Sequence, residues 1–163
     1  MKLNKSTTSP ILTLAIAKGR IFKEAQELLE KSGIEILDYS SKSRKLTLKT
    51  NRKNLKVLIV RAGDVPTYVE HGAADMGITG KDVLIEFDGK NYYEILDLAI
   101  SKCKMMVASR KGFCPEGITT KVATKYPNIA KRYFLENGVQ ADIIKLSGSM
   151  ELAPTFGLAD QIV

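Results

Sequence analysis

Short apolar runs alternate along this chain with segments whose apolar residues recur at helical spacing. Residues 12–17 are apolar enough for a buried strand, and residues 21–32 carry an amphipathic pattern that ends at Gly33. The same alternation returns after residue 120, where two short strand-like runs enclose the helical segment 128–137. Strands that alternate with helices predict an α/β fold with mixed, mostly parallel sheets.

The remaining elements follow the same two periodicities, and no internal sequence repeat is evident. In the helix at 128–137 we expect Ile129, Ala130, Tyr133 and Phe134 to face inward, and we expect Asp64 to cap the helix at 65–69. A polar loop and a change of strand near residues 88–104 predict the crossing between two lobes, lobe I at 1–95 and lobe II at 96–163. Further strands are predicted at 46–49, 55–60, 74–79, 93–98, 104–109, 121–124 and 141–145, and a further helix at 81–86.

The composition is that of an ordinary globular protein, with 44% hydrophobic and 26% charged residues in 163, which excludes disordered, collagen-like and coiled-coil chains. The net charge of +7 predicts attraction to polyanions, but its basic residues lie in short groups mixed with acids. Few aromatic residues accompany them, so we expect no nucleic-acid partner. The first apolar run is too short for a signal peptide or a membrane span, and two unpatterned cysteines suit reduced thiols, so a cytoplasmic protein without a membrane partner is expected.

Polar, glycine-containing loops follow four of the predicted strands. In α/β folds ligands bind at the carboxyl ends of strands, and glycine lets backbone amides approach an anion closely. Three loops combine a cation with a glycine, whereas the fourth supplies hydroxyl groups. Taken singly, each is equally a plain surface turn, and Arg61 with Asp64 is equally a local ion pair. Together they predict an anion site; the loops are Lys18-Gly19-Arg20, Arg61 to Asp64, Thr79 to Asp82, and Ser147-Gly148-Ser149.

No side chain of the sequence stands out as a catalytic nucleophile. The one histidine, His71, lies at a predicted helix end, where an imidazolium favours the helix dipole, and we interpret it as structural. Cys103 and Cys114 have no partner base nearby and are interpreted as inert thiols. No catalytic triad, CxxC, HExxH or Walker pattern is present. The chemistry is therefore expected to depend on positioning and positive charge.

Four segments, 12–22, 61–82, 121–128 and 147–163, resemble ATP phosphoribosyltransferases of histidine biosynthesis, in one order and spacing from Leu12 to Val163. The sequence of residues 66–75 is closer to the short form of that family, which lacks a C-terminal regulatory domain. The resemblance implies a two-lobed fold like that of type II periplasmic binding proteins, with the site in the cleft between the lobes. It further implies a histidyl-tRNA synthetase-like regulatory subunit and a homo-dimeric or hetero-oligomeric assembly.

The resemblance also implies the reaction. Adenine N1 of ATP attacks the ribose C1 of phosphoribosyl pyrophosphate, and pyrophosphate leaves with Mg²⁺, whose protein ligands the resemblance does not assign. Lys18, Arg44 and Arg61 are placed around the phosphates and pyrophosphate as the catalytic cations. The residues implied to complete the substrate site are Gly19, Arg20, Asp64, Asp75, Thr79, Gly80, Ser147, Gly148, Ser149 and Glu151.

The sequence departs from the family pattern at its last residues. In the family the strand at 160–163 continues into an aspartate and a Thr-Gly-x-Thr loop that cradles the 5′-phosphate of phosphoribosyl pyrophosphate, whereas this sequence stops at Val163. We therefore expect the 163-residue chain, taken alone, to lack most of its affinity for phosphoribosyl pyrophosphate. The alternative function is a non-catalytic two-lobed module that binds an anion or solute, because one architecture serves many functions.

Overall fold

The computed structural model describes residues 10–40, 45–113 and 118–163, which form two compact units. The first unit ends at Lys102 and the second begins at Cys103, seven residues beyond the boundary predicted at 95/96. The first unit extends this far because Ile100 packs against its core and Ser101 is hydrogen-bonded to Glu24. How these units correspond to the predicted lobes stays a prediction.

The first unit is a four-stranded sheet with helices on both faces. Its strands lie in the order β2-β3-β1-β4, with β1 parallel to β3 and β4, and β2 antiparallel to β3. A short 3-10 helix, Ala62–Asp64, follows β3. The elements are β1 Leu12–Ala17, α1 Arg20–Lys31, β2 Thr47–Lys49, β3 Leu55–Val60, α2 Val65–Glu70, β4 Met76–Ile78 and α3 Lys81–Glu86.

The central strand β1 connects the two halves of the first unit's core. Because successive side chains of a strand point to opposite faces, Leu14 and Ile16 enter the cluster that contains Phe22 of α1. Ala15 and Ala17 enter a second cluster with Val65 of α2. Full burial of a side chain such as Phe22 contributes roughly 1.5–3 kcal/mol, so α1 and α2 are fixed on opposite faces of the sheet by apolar contact.

The second unit contains a smaller sheet of similar design. Its strands lie in the order β5-β8-β6-β7, with β6 parallel to both β7 and β8, and β5 antiparallel to β8. Its buried residues include Ala130 and Phe134 of the helix Pro127–Glu136, and Val122 and Ala123 of the strand Thr119–Thr124. The elements are β5 Ala108–Ser109, β6 Thr119–Thr124, α4 Pro127–Glu136, β7 Gln140–Lys145, a 3-10 helix Met150–Leu152, and β8 Gln161–Ile162.

The two units repeat one module, which the expectation of no internal repeat missed. A six-residue strand is followed by a lysine, Lys18 or Lys125, and the helix starts two residues later. A glycine with positive φ, Gly33 or Gly138, lies two residues after the last residue of each helix. The next N–H then reaches the carbonyl five residues back, at 2.9 Å in both units. A parallel strand and a 3-10 helix complete the correspondence.

The module closes with the pattern Gly-x-Ala-Asp, at residues 72–75 and 157–160. Gly72 and Gly157 both have φ of +68°, and both alanines are buried. Asp75 accepts the Thr13 N–H with its carboxylate at 2.7 Å and donates its own N–H to the Thr13 carbonyl at 3.0 Å. Asp160 forms the same ring with Lys121, at 2.8 Å in both directions. Each aspartate therefore fixes the strand that follows it to the central strand of its sheet.

Most predicted elements are present, and β1, β3 and α3 have the bounds predicted from the sequence. The strand predicted at 93–98 is wrong: among the described residues the segment pairs with no strand, and Tyr93 is 93% exposed. Only Ala108–Ser109 of the strand predicted at 104–109 is formed. Tyr133 is exposed because Ala130 and Phe134, four residues apart, already define the buried face of α4. Asp64 precedes α2 but makes no side-chain capping hydrogen bond.

None of the helices in the described ranges is long and apolar enough to cross a membrane.

Candidate functional site

Three of the four predicted loops lie at one edge of the first unit's sheet. Strands β3, β1 and β4 are neighbours and run parallel, so their carboxyl ends emerge together. The residues that follow these ends are Lys18 after β1, Arg61 after β3 and Thr79 after β4. The predicted convergence of these loops therefore occurs within this unit, and we call this edge the strand-end edge.

Hydrogen bonds tie the three loops to one another. The Lys18 N–H donates to the Val60 carbonyl at 2.8 Å, which joins the end of β1 to the end of β3. The Thr79 hydroxyl donates to the Ala62 carbonyl at 3.0 Å, which joins the loop after β4 to the residue beside Arg61. The strand-end edge is thus a fixed surface, as a preorganised binding site requires.

Lys18 and Arg61 are exposed, and neither forms an ion pair with a carboxylate of the described residues. The alternative that Arg61 serves as a local ion pair with Asp64 is therefore not realised in this structure. Lys81, by contrast, is paired with Glu94. Two cations without a local counter-charge create a positive potential that attracts an anion to the strand-end edge.

The amino end of α1 adds backbone donors to this edge. Gly19 precedes the helix with φ of +103°, a conformation that glycine adopts without strain. Neither a capping side chain nor an acidic residue of the described ranges covers the first turn of α1, so no side chain described in the structure accepts its first N–H groups. Free N–H groups and the helix dipole both favour an anion at this position.

Arg20 belongs to a closed network within the first unit. Its guanidinium lies 3.8 Å from Glu24 Oε1 and donates to the Ser101 carbonyl at 3.4 Å. Glu24 in turn accepts the Ser101 N–H at 2.6 Å and the Ser101 hydroxyl at 2.9 Å. These two bonds and the Arg20 charge lower the pKa of Glu24, against a smaller desolvation effect. Sequence reasoning missed Glu24, although the spacing of four from Arg20 is an ion-pair signal.

The structure does not bring Asp75 to the strand-end edge. Asp75 lies just before β4 and caps the start of β1 at Thr13, whereas Lys18 follows the other end of β1. Ala17 lies four residues beyond Thr13 along β1, which is about 13 Å at roughly 3.3 Å per residue. The Asp75 carboxylate accepts the Thr13 N–H at the opposite edge of the sheet, and the assignment of Asp75 to the substrate site stays a prediction.

The fourth loop lies in the second unit, at the carboxyl end of β7. Ser147, Gly148, Ser149 and Glu151 are all exposed. Ser149 has φ of +53°, a left-handed conformation, and precedes the 3-10 helix without a side-chain capping bond. The turn is thus sharp and accessible, and Glu151 lies in the first turn of the 3-10 helix. Arg44 and Cys114 lie outside the described residues.

Comparison with known proteins identifies the family. The sequence profile of the family described as HisG, ATP phosphoribosyltransferase, matches residues 61–163. The ATP phosphoribosyltransferases of Neisseria gonorrhoeae and Marinobacter nauticus are 57% and 54% identical to this chain, over 93% of its length and 71% of theirs. The chain belongs to the ATP phosphoribosyltransferase family.

A solved structure of that family has the same fold. The complex described as ATP phosphoribosyl transferase (HisG:HisZ) from Thermotoga maritima matches with a TM-score of 0.75 at 38% identity. The match covers 94% of this chain and 73% of that chain. It confirms the predicted fold class, an α/β fold of the type II periplasmic-binding-protein kind with mixed, mostly parallel sheets. The predicted membership of the ATP phosphoribosyltransferase family, a family of transferases, is likewise confirmed.

The ATP phosphoribosyltransferase fold places the remaining candidates at the surface. Cys103 is an exposed free thiol, and His71 is exposed at the end of α2. Across the described ranges no group of three or more His, Cys, Asp or Glu residues is arranged to hold a metal ion. Asp64 is the exposed carboxylate that lies three residues after Arg61.

Proposed function

We propose that this chain joins the phosphoribosyl group of phosphoribosyl pyrophosphate to N1 of ATP and releases pyrophosphate, the first step of histidine biosynthesis. The identity of 54–57% to ATP phosphoribosyltransferases supports this proposal. The observation that carries it in the structure is the strand-end edge, where Lys18 and Arg61 have no counter-charge among the described residues. Both substrates carry several negatively charged phosphate groups, which the positive charge of this edge attracts.

The reaction requires charge stabilisation more than a protein nucleophile. Adenine N1 supplies the electron pair for the new bond to ribose C1, while the bond from C1 to the pyrophosphate oxygen breaks and that oxygen takes its electrons. Lys18 and Arg61 neutralise the negative charge that grows on the leaving pyrophosphate. Arg44 joins them in the proposal on the family resemblance. Removal of one such donor from a preorganised site typically lowers kcat by about 10²–10³.

The remaining residues bind and orient the substrates. The Gly19 turn presents the first N–H groups of α1 to a phosphate, and Thr79 with Gly80 forms the neighbouring wall of the edge. Arg20 is held by Glu24 and Ser101, so we assign it to shaping this wall. In the second unit we assign substrate binding to Ser147 to Ser149 and Glu151, which offer hydroxyl, N–H and carboxylate groups.

Mg²⁺ enters the proposal as part of the substrate. Magnesium keeps several waters and is commonly bound through one or two carboxylates together with substrate phosphates. Asp64 is an exposed carboxylate three residues after Arg61 and could take this part. We place Asp64 beside the Mg²⁺–pyrophosphate complex, where its carboxylate offsets the charge of the ion and orients the leaving group.

A regulatory subunit is the proposed protein partner. The Thermotoga maritima structure is described as a HisG:HisZ complex. By similarity we propose that this chain assembles with a HisZ-like, histidyl-tRNA synthetase-like subunit in a hetero-oligomer, and that it acts in the cytoplasm. Light scattering of the chain alone and mixed with a candidate subunit tests the assembly, and two independent peaks would contradict it.

The activity is tested by mixing the chain with ATP, phosphoribosyl pyrophosphate and Mg²⁺, with a candidate regulatory subunit in a parallel reaction. Formation of the N1-ribosylated adenine chromophore in either reaction supports the transferase. Binding of both substrates without chromophore in both reactions would instead support a binding module.

Arg61→Ala is the sharpest variant for this function. We expect it to lower kcat about 10²–10³-fold without a change in the unfolding midpoint, because Arg61 is exposed and unpaired among the described residues. Arg52→Ala is the matched control, because this exposed arginine lies before the start of β3, at the opposite end of the strand that Arg61 follows. Equal rates for the two variants would contradict the role of Arg61.

A further inference from the structure

We infer that Lys125 is a phosphate-binding residue of the second unit, the counterpart there of Lys18 in the first. That the ligand of Lys125 is a polyphosphate rests on the proposed function. It adds a cation beside the Ser147 to Ser149 turn, where the predicted site contained hydroxyl groups and one carboxylate.

The positional argument comes from the repeated module. Lys18 and Lys125 each follow the sixth residue of the central strand, and in each unit the helix starts two residues later. In both units the neighbouring parallel strand is paired over six residues, Ala17 with Val60 and Thr124 with Lys145. The two lysines therefore leave their sheets at the same point of the same module.

The loop that carries Lys125 is held rigidly. Thr124 is completely buried, and its hydroxyl accepts the Tyr126 N–H at 2.9 Å while it donates to the Val163 carbonyl at 3.0 Å. One side chain thus fixes the backbone on both sides of Lys125. A binding cation supported in this way loses little backbone freedom when its ligand arrives.

Lys125 lies beside the hydroxyl-rich turn because their two strands are neighbours. The Leu146 N–H donates to the Thr124 carbonyl at 2.9 Å, so the chain enters the Ser147 turn directly next to the point where Lys125 leaves β6. The residue that directly follows β7 is apolar Leu146, whereas β3 is followed by Arg61. Of the two residues that directly follow these strands, Lys125 after β6 and Leu146 after β7, only Lys125 carries a positive charge.

The charge of Lys125 is available to a ligand. The side chain is exposed and forms no ion pair with a carboxylate of the described residues. Its Nζ lies 5.9 Å from the centroid of the Tyr126 ring. Such a contact at an exposed site is weak and readily exchanged for a phosphate oxygen, since a charge-assisted hydrogen bond is stronger.

The test compares Lys125→Ala with Lys131→Ala, a matched control on the exposed surface of α4. The readouts are KM for ATP and for phosphoribosyl pyrophosphate, and the affinity for inorganic pyrophosphate by titration calorimetry. We expect Lys125→Ala to weaken at least one of these about tenfold, Lys125→Arg to restore most of it, and Lys131→Ala to match the wild type.

Equal values for Lys125→Ala and Lys131→Ala would overturn the inference while leaving the transferase function intact. If the wild type lacks transferase activity but binds pyrophosphate, the proposed function fails and the pyrophosphate affinity alone decides the role of Lys125. If the wild type shows neither activity nor pyrophosphate binding, both are overturned.

Discussion

The contact between β4 and α2 gives a prediction that the structure quantifies. Gly77 lies in β4 directly beneath α2, and a Cβ at this position would lie 2.6 Å from Val65 Cγ1 and 3.0 Å from Val69 Cγ2. Both distances are shorter than normal carbon contacts, and Val65 is 1% exposed, so it has no free space to enter. Gly77→Ala must therefore push α2 away from the sheet.

The expected magnitude follows from the contacts. Overpacking a core by one methyl group costs about 1–3 kcal/mol in the free energy of unfolding. Val65→Ala alone costs about 1.6 kcal/mol, at roughly 0.8 kcal/mol for each of the two carbons removed, but it also removes the atom that the new Cβ would meet. The double variant is therefore expected to be more stable than the sum of the single effects by about 1 kcal/mol or more.

Urea unfolding followed by circular dichroism measures all three variants, with the slope m checked for constancy. Gly63→Ala is the matched control, because a Cβ at Gly63 would meet nothing within 4 Å, and its effect should stay within roughly 0.5 kcal/mol. A Gly77→Ala chain as stable as the wild type, or strictly additive effects of the two substitutions, would refute the argument.

Two further predictions concern other parts of the first unit. Glu24→Gln should lower the urea midpoint near neutral pH. The folded-state pKa of Glu24 is below its ordinary value of 4.5. The Glu24 carboxylate therefore stabilises the fold above pH 4.5, and this stabilisation is lost as the pH falls through the folded-state pKa. The difference between variant and wild type should narrow below pH 4.5, and a pH-independent difference would count against this cause. Asp75→Ala should cost about 1.5–3 kcal/mol because the Thr13 N–H loses a charged acceptor, and Asp75→Asn should retain most of the stability. If Asp75 is purely structural, both variants should keep substrate KM values near those of the wild type, whereas a KM that rises more than about tenfold would support the predicted role in substrate binding.

Local periodicity was sufficient for most of the first unit. The apolar run 12–17 and the pattern 55–60 predicted β1 and β3 with the bounds observed. The apolar side chains of both strands pack between the sheet and a helix. Parallel pairing then required the loops after them to share an edge, so Lys18 and Arg61 follow neighbouring strand ends, while their role in binding stays a prediction. The segment 93–98 has the same kind of pattern, but a strand needs a hydrogen-bonding partner and the pattern alone does not supply one.

The position of Asp75 and the repeat were not visible in the sequence, for a common physical reason. The predicted strand at 74–79 included Asp75, whereas β4 starts at Met76, so Asp75 lies at the amino end of β4 and not at the strand-end edge. That assignment depends on a hydrogen bond to Thr13, 62 residues away, which no local pattern contains. The repeated module was missed because its matching residues, such as the two Gly-x-Ala-Asp patterns, are few and widely spaced, and the bonds that relate them are long-range.

The two Gly-x-Ala-Asp rings also bear on the conformational entropy that the chain loses when its loops close. The ring of Asp75 joins residues 62 apart, and the ring of Asp160 joins residues 39 apart. Loop-closure entropy grows only with the logarithm of length, so the longer loop costs about 0.4 kcal/mol more than the shorter one. Twenty-three additional residues in the first loop are therefore almost free of entropic penalty at the step that closes the sheet. We therefore expect insertions between the central strand and the aspartate to cost little stability as long as the two-bond ring can form, because the ring, and not the spacing, joins β4 and β8 to their central strands.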